Sequence, residues 1–86
     1  MKYTVIISRS AQKVIDRLES DLFNRIFKKL KILENNPRPH GAEKLTGEVD
    51  VYRVRVRDWR IVYQVRDRVL IVLVVKVAHR REVYRG

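Results

Sequence analysis

The spacing of apolar residues changes midway along the chain. In the first half it is helical. Val14, Ile15 and Leu18 fall on one side of a short helix, and Phe23, Ile26, Phe27, Leu30 and Leu33 recur at intervals of three and four in a longer one. Ser10 is placed to cap the first helix, which would begin at Ala11, and Ser20 to cap the second. Arg25, Lys28, Lys29 and Lys31 fill the polar side of the second helix. Pro37 and Pro39 end it near Asn35 and Asn36, because the residue before a proline is pushed out of the helical region. The two helices form a hairpin whose Phe and Leu stripe is assigned to the core.

In the second half the period is two. Tyr52, Val54 and Val56 alternate with Arg53, Arg55 and Arg57, which predicts a strand with one apolar face and one studded with arginine. A tight turn at Asp58 leads into residues 60–66, where Ile61, Tyr63 and Val65 alternate with Arg60, Val62, Gln64 and Arg66. Asp67 and Arg68 make the next turn. Residues 69–78 are apolar on both faces except at Lys76, as in a central strand. A β-branched run over residues 3–8 adds a strand ahead of the helices, and residues 37–50, with two Pro and two Gly, read as a loop. The predicted fold class is α+β in the order β-α-α-β-β-β. A helical hairpin packs on one face of a small, mainly antiparallel four-stranded sheet, with the first strand beside the apolar last one. Trp59 and Tyr63 are read as packing residues.

Length and composition narrow the class further. Eighty-six residues leave room for one domain, spanning 1–86. The absence of cysteine and the presence of only two histidines argue against a structural metal site, and no cofactor is expected. No apolar run approaches the length of a membrane span, and residues 5–7 are too short a run for a signal-peptide core. A soluble, cytoplasmic protein with no membrane partner is therefore expected. The net charge is +10. Residues 51–86 hold ten basic and three acidic side chains, and nine of the ten bases are arginine. The guanidinium fork matches phosphate oxygens, so a sheet face carrying Arg53, Arg55 and Arg60 is a seat for a nucleic-acid backbone.

Four segments make the pattern specific. They are Ala42-Glu43-Lys44-Leu45-Thr46-Gly47, Tyr52-Arg53-Val54-Arg55, Trp59-Arg60-Ile61-Val62-Tyr63 and His79-Arg80-Arg81-Glu82-Val83-Tyr84. In this order they resemble the RelE/ParE toxin superfamily over essentially the whole chain. The ending Arg80-Arg81-Glu82-Val83-Tyr84 resembles the RelE branch, whose members cleave mRNA in the ribosomal A site. The ParE branch shares the fold and poisons DNA gyrase. The resemblance implies a metal-independent endoribonuclease, a toxin of a type II toxin–antitoxin system. Its partners would be the ribosome, mRNA and an acidic antitoxin of the RelB type, in a heteromeric complex. The antitoxin's amphipathic helix would cover the helical hairpin or displace the segment around Tyr84. The alternatives are a ParE-like gyrase inhibitor and a non-catalytic basic RNA-binding module.

Carried over by position, the implied catalytic residues are Arg53 and Arg55 on the strand after the loop, Arg60 opening the next, Arg80 after the last strand, and Tyr84. Lys44, Arg57, Arg81, Arg25, Lys28, Lys29 and Lys31 are the implied RNA and ribosome contacts. The chain departs from well-studied relatives in one respect. They have lysines at the positions of Arg53 and Arg55, and arginine does not give up its proton. The general base is then His79, Lys44, Glu82 or a carboxylate of the Glu48–Asp50 loop, or positioning alone carries the rate. His40, in the Pro-rich loop, is given no role.

Overall fold

The computed structural model describes residues 2–83. Strand β1 (Thr4–Ile7) runs into helix α1 (Arg9–Asp16), and α2 (Ser20–Asn35) follows. A two-residue strand β2 (Glu43–Lys44) precedes the meander of β3 (Val51–Val56), β4 (Trp59–Arg66) and β5 (Ile71–His79). A 3₁₀ turn at Asp67–Val69 joins β4 to β5, and a short helix α3 (Arg80–Val83) comes last. The sheet has five strands in the order β1-β5-β4-β3-β2, with β1 parallel to β5 and the other pairs antiparallel. The fifth strand is β2, which forms inside the expected loop. Glu43 and Lys44 pair there with Arg53 and Tyr52.

Caps differ from expectation for a local reason. Ser8, not Ser10, caps α1: its hydroxyl accepts the Ala11 amide proton at 3.2 Å, while its own amide donates to the Val74 carbonyl at 2.9 Å. The strand ladder therefore runs straight into the helix, and Arg9 begins the first turn. Helix α2 has Glu19 at its N-cap in extended conformation, with no side-chain cap, and ends at Asn35 ahead of Pro37.

One side of the sheet carries the core. Ile26, Leu30 and Leu33 of α2 and Ala11 and Ile15 of α1 are buried with Val54, Ile61, Tyr63, Val65, Val72, Val74 and Val77. The aromatic half of the expected stripe leaves it. Phe23 and Phe27 are exposed and stack on each other at 6.4 Å between centroids. At 100° per residue both lie to the same side of the Ile26–Leu30–Leu33 line, Phe27 the further from it. Phe27 instead borders a shallow apolar recess with Val5, Ile7 and Leu30.

Candidate functional site

The open face is organised by cross-strand register. Arg55 lies opposite Arg60, which lies opposite Ala78; Arg53 lies opposite Val62, which lies opposite Lys76. Paired residues share a face, so Arg53, Arg55, Arg60 and Lys76 stand on the side away from the helices. Glu43 joins them across from Arg53, and its Oε2 is 2.9 Å from Arg53 Nη2. Arg60 is 8% exposed, an unusual burial for arginine. Its Nη1 donates to the carbonyls of Arg57 at 3.3 Å and Trp59 at 3.1 Å. The Arg57 carbonyl belongs to the β3–β4 turn, where Arg57 adopts φ 54°, and the Trp59 carbonyl opens β4. The turn thus fixes one end of the guanidinium.

Because the β2 ladder reaches only Tyr52 and Arg53, a pocket of about 370 Å³ opens beside the rest of β3. Arg53, Val54, Arg55 and Arg60 of β3 and β4 line it together with Glu43 of β2, Lys29 of α2, and His40 and Gly41. A groove of about 450 Å³ continues along α2, where Arg25, Lys28 and Lys29 face Arg55, Val56 and Arg57. Asp21 Oδ2 sits 3.3 Å from both Arg25 Nε and Arg57 Nη2 and holds them together. Lys29 and Arg55 line both spaces, so the two form one cationic track.

The other sequence-chosen residues stand elsewhere. Lys31 is two positions beyond Lys29, about 200° around the helix, and ion-pairs with Glu34 at 3.5 Å above the Phe27 ring. Lys44 is opposite Tyr52, on the helix-covered side. His79 is opposite Trp59 and packs edge-on against its ring at 5.7 Å, on the face opposite Arg60. Its Nδ1 accepts the Arg81 amide proton at 3.3 Å. Arg80 lies at the β3–β4 turn, with its amide donating to the Asp58 carbonyl at 2.7 Å and Nε 3.9 Å from Asp58 Oδ1. Tyr84 lies outside the described residues. Among the described residues no three His, Asp or Glu side chains converge to hold a metal ion.

His40 reaches the pocket through a built turn. The Ala42 amide donates to the Pro39 carbonyl at 3.0 Å, and Gly41 takes φ 93°, so residues 39–42 have the type II pattern with glycine at its third position. The flanking residues are anchored. The buried Tyr63 hydroxyl donates to the Pro37 carbonyl at 2.7 Å. Arg38 grips Asp67 with both terminal nitrogens at 3.1 and 2.8 Å, donates from Nε to the Tyr52 hydroxyl at 2.8 Å, and lies over the Tyr52 ring. Tyr3 donates to the same carboxylate at 2.6 Å. These donors, Arg38 first, lower the Asp67 pKa from 3.8 to about 2. A depressed carboxylate stabilises the fold above its ordinary pKa, and that stability is lost as pH falls through the folded value. The melting temperature should therefore drop between about pH 4 and pH 2, and Asp67→Asn should flatten that dependence. Thermal melts across this range check it, and an unchanged slope in Asp67→Asn would remove the clamp from the account.

Comparison with known proteins places this geometry. The profile of the ParE toxin of type II toxin–antitoxin systems (parDE) matches residues 5–84. The mRNA interferase toxin RelE of Escherichia coli K12 is 35% identical over 88 residues, covering 98% of this chain and 92% of its own. Among solved structures, the toxin in the intact E. coli RelBE toxin–antitoxin complex superposes with a TM-score of 0.80 at 32% identity, over 90% of this chain and 95% of that one. The archaeal RelE–RelB complex of Pyrococcus horikoshii OT3 gives 0.81 at 27% identity over the whole of both chains. The chain belongs to the RelE- and ParE-type toxin family of type II toxin–antitoxin systems.

Proposed function

We propose that this toxin is a ribosome-dependent mRNA endonuclease that cuts within the A site. The observation that carries the reading is the convergence of Arg53, Arg55, Arg60 and Lys29 on one pocket. The relation to an mRNA interferase at 35% identity supports it. RNA brings its own nucleophile. The ribose 2′-hydroxyl attacks the adjacent phosphorus in line, the bond to the 5′-oxygen breaks, and a 2′,3′-cyclic phosphate and a 5′-hydroxyl remain. The protein must hold the nucleotide in that geometry and neutralise charge growing on the phosphoryl oxygens. Positioning supplies up to roughly 7–11 kcal/mol in the best cases. Arg60, fixed by two backbone carbonyls, is a preorganised donor for the phosphoryl charge, with Arg53 and Arg55 beside it on the same face.

The ribosome presents the strand, and the cationic track of Arg25, Lys28 and Lys29 takes ribosomal RNA phosphates. Arg80 sits against Asp58 at the β3–β4 turn and extends the basic rim there, and Arg81 follows it in α3. The chain acts as one domain in the cytoplasm. Among the described residues no helix is long and apolar enough to cross a membrane. A RelB-type antitoxin restrains it, and the recess of Val5, Ile7, Phe27 and Leu30 suits the apolar side of an amphipathic helix.

Primer extension on a defined mRNA, with and without programmed ribosomes, tests the reading. Cuts inside A-site codons only with ribosomes present are expected. A folded protein that cuts in neither condition but inhibits gyrase supercoiling would replace this reading with the ParE-type one.

A further inference from the structure

We propose that His40 is the residue that takes the proton from the ribose 2′-hydroxyl. The inference rests on the endonuclease reading and deepens it. The pocket presents five basic or acidic side chains besides His40, and none is suited to accept that proton. Arg53, Arg55 and Arg60 hold theirs at any physiological pH. Lys29 enters from α2 as a cation that complements the phosphate charge. Glu43 is engaged by Arg53 at 2.9 Å. Imidazole is the side chain whose ordinary titration range meets neutrality. Outside the pocket, His79 stands on the opposite face against Trp59, and Lys44 is opposite Tyr52 on that same far side.

The placement of His40 is built rather than incidental. It occupies the second position of the residue 39–42 turn, and Gly41 supplies the positive φ that the turn requires. Arg38 and Pro37 tie the approach to Asp67, Tyr52 and Tyr63. The five charged groups lining the space come from four elements: Lys29 from α2, Glu43 from β2, Arg53 and Arg55 from β3, Arg60 from β4. The three arginines are disposed to draw the phosphate into the pocket that His40 also lines.

The step balances without a further reactant. The His40 imidazole accepts the 2′-hydroxyl proton as the 2′-oxygen bonds to phosphorus. The bond from phosphorus to the 5′-oxygen breaks, and that oxygen takes a proton from a water molecule. The hydroxide so formed is neutralised by the imidazolium, which returns the histidine to its starting state.

The test is single-turnover cleavage on programmed ribosomes by wild type, His40→Gln and His40→Ala. Both variants should bind ribosomes as the wild type does and cleave roughly 10²–10⁴-fold more slowly, the usual contribution of a positioned base. The wild-type rate should rise with pH on the limb that a general base contributes, and both variants should lose that limb. Added imidazole should restore part of the rate to His40→Ala and none to His40→Gln, which keeps the cavity filled. Thermal melts control for folding, since His40 is exposed in its turn. Variants that cleave within a few-fold of a cleaving wild type, with the same pH limb, overturn the His40 assignment and leave the endonuclease reading standing. A wild type that does not cleave overturns both.

Discussion

Arg60→Lys should lower the single-turnover rate of ribosome-bound mRNA cleavage by roughly 10²–10³-fold, the usual loss when one preorganised donor is removed from a developing oxyanion. The reason is shape, not charge. Arg60 is 8% exposed, and its guanidinium is held at Nη1 by the carbonyls of Arg57 and Trp59. Those bonds set the plane of the fork before substrate arrives. A lysine keeps the charge but has no planar fork, so it cannot hold two carbonyls and present a fixed donor pair to phosphate. Substrate binding should weaken far less than the rate, because Arg53, Arg55 and Lys29 still line the pocket. The measurement is rate against ribosome concentration for both proteins, with thermal melts alongside. A variant that melts like the wild type and cleaves at its rate would take Arg60 out of the transition state.

How the arginines came to share a face was legible in the sequence, because β3 and the start of β4 have one buried side each. Arg53, Arg55 and Arg60 fall out of simple alternation. The rest of the site needed contacts that local pattern does not carry. Arg57 continues the alternation in sequence but sits at φ 54° in the turn and turns to Asp21 instead. Residues 69–78 read as apolar on both faces except at Lys76, so only that one position marked their phase. The irregularity between Val62 and Tyr63 sets it: Val72 and Val74 are buried, Val75 and Lys76 are both exposed, and Val77 is buried again. Once Val77 faces the core, His79 must as well, which removes it from the arginine face. The Lys76–Val77–Ala78–His79 order held that clue, since alternation from the one charged position puts His79 on the far side.

His40 was illegible for a different reason. Its position depends on a turn and on three anchors that join residues far apart in the chain: Pro37 to Tyr63, and Arg38 to Tyr52 and Asp67. The one local signal was Gly41 after Pro39 and His40, which marks a turn but not what the turn faces. The same holds for Glu43, which becomes part of the pocket only because β2 forms inside the expected loop.

The anchor at Tyr63 joins core and site, and two substitutions should separate its roles. Tyr63 is fully buried, stacks on Tyr52 at 5.9 Å, and donates to the Pro37 carbonyl at 2.7 Å. Burial raises its pKa to about 12, so the hydroxyl stays protonated and remains a donor across the working range. Tyr63→Ala removes the ring from the centre of the core and should cost about 3–5 kcal/mol, as for other buried aromatics. That is a large share of the roughly 5–15 kcal/mol that holds a domain together, so the variant should be largely unfolded well below the wild-type melting temperature. Tyr63→Phe keeps the ring and strands the Pro37 carbonyl without its donor, at about 1–3 kcal/mol. For a domain of this size each kcal/mol lowers the melting temperature by roughly 4–8 °C. At temperatures where Tyr63→Phe is fully folded, its cleavage rate should still fall, because the Pro37 anchor holds the turn that carries His40. A phenylalanine variant that melts lower yet cleaves normally would detach this hydrogen bond from the site and leave it a purely structural tie. One that melts and cleaves like the wild type would mean that another group satisfies the Pro37 carbonyl.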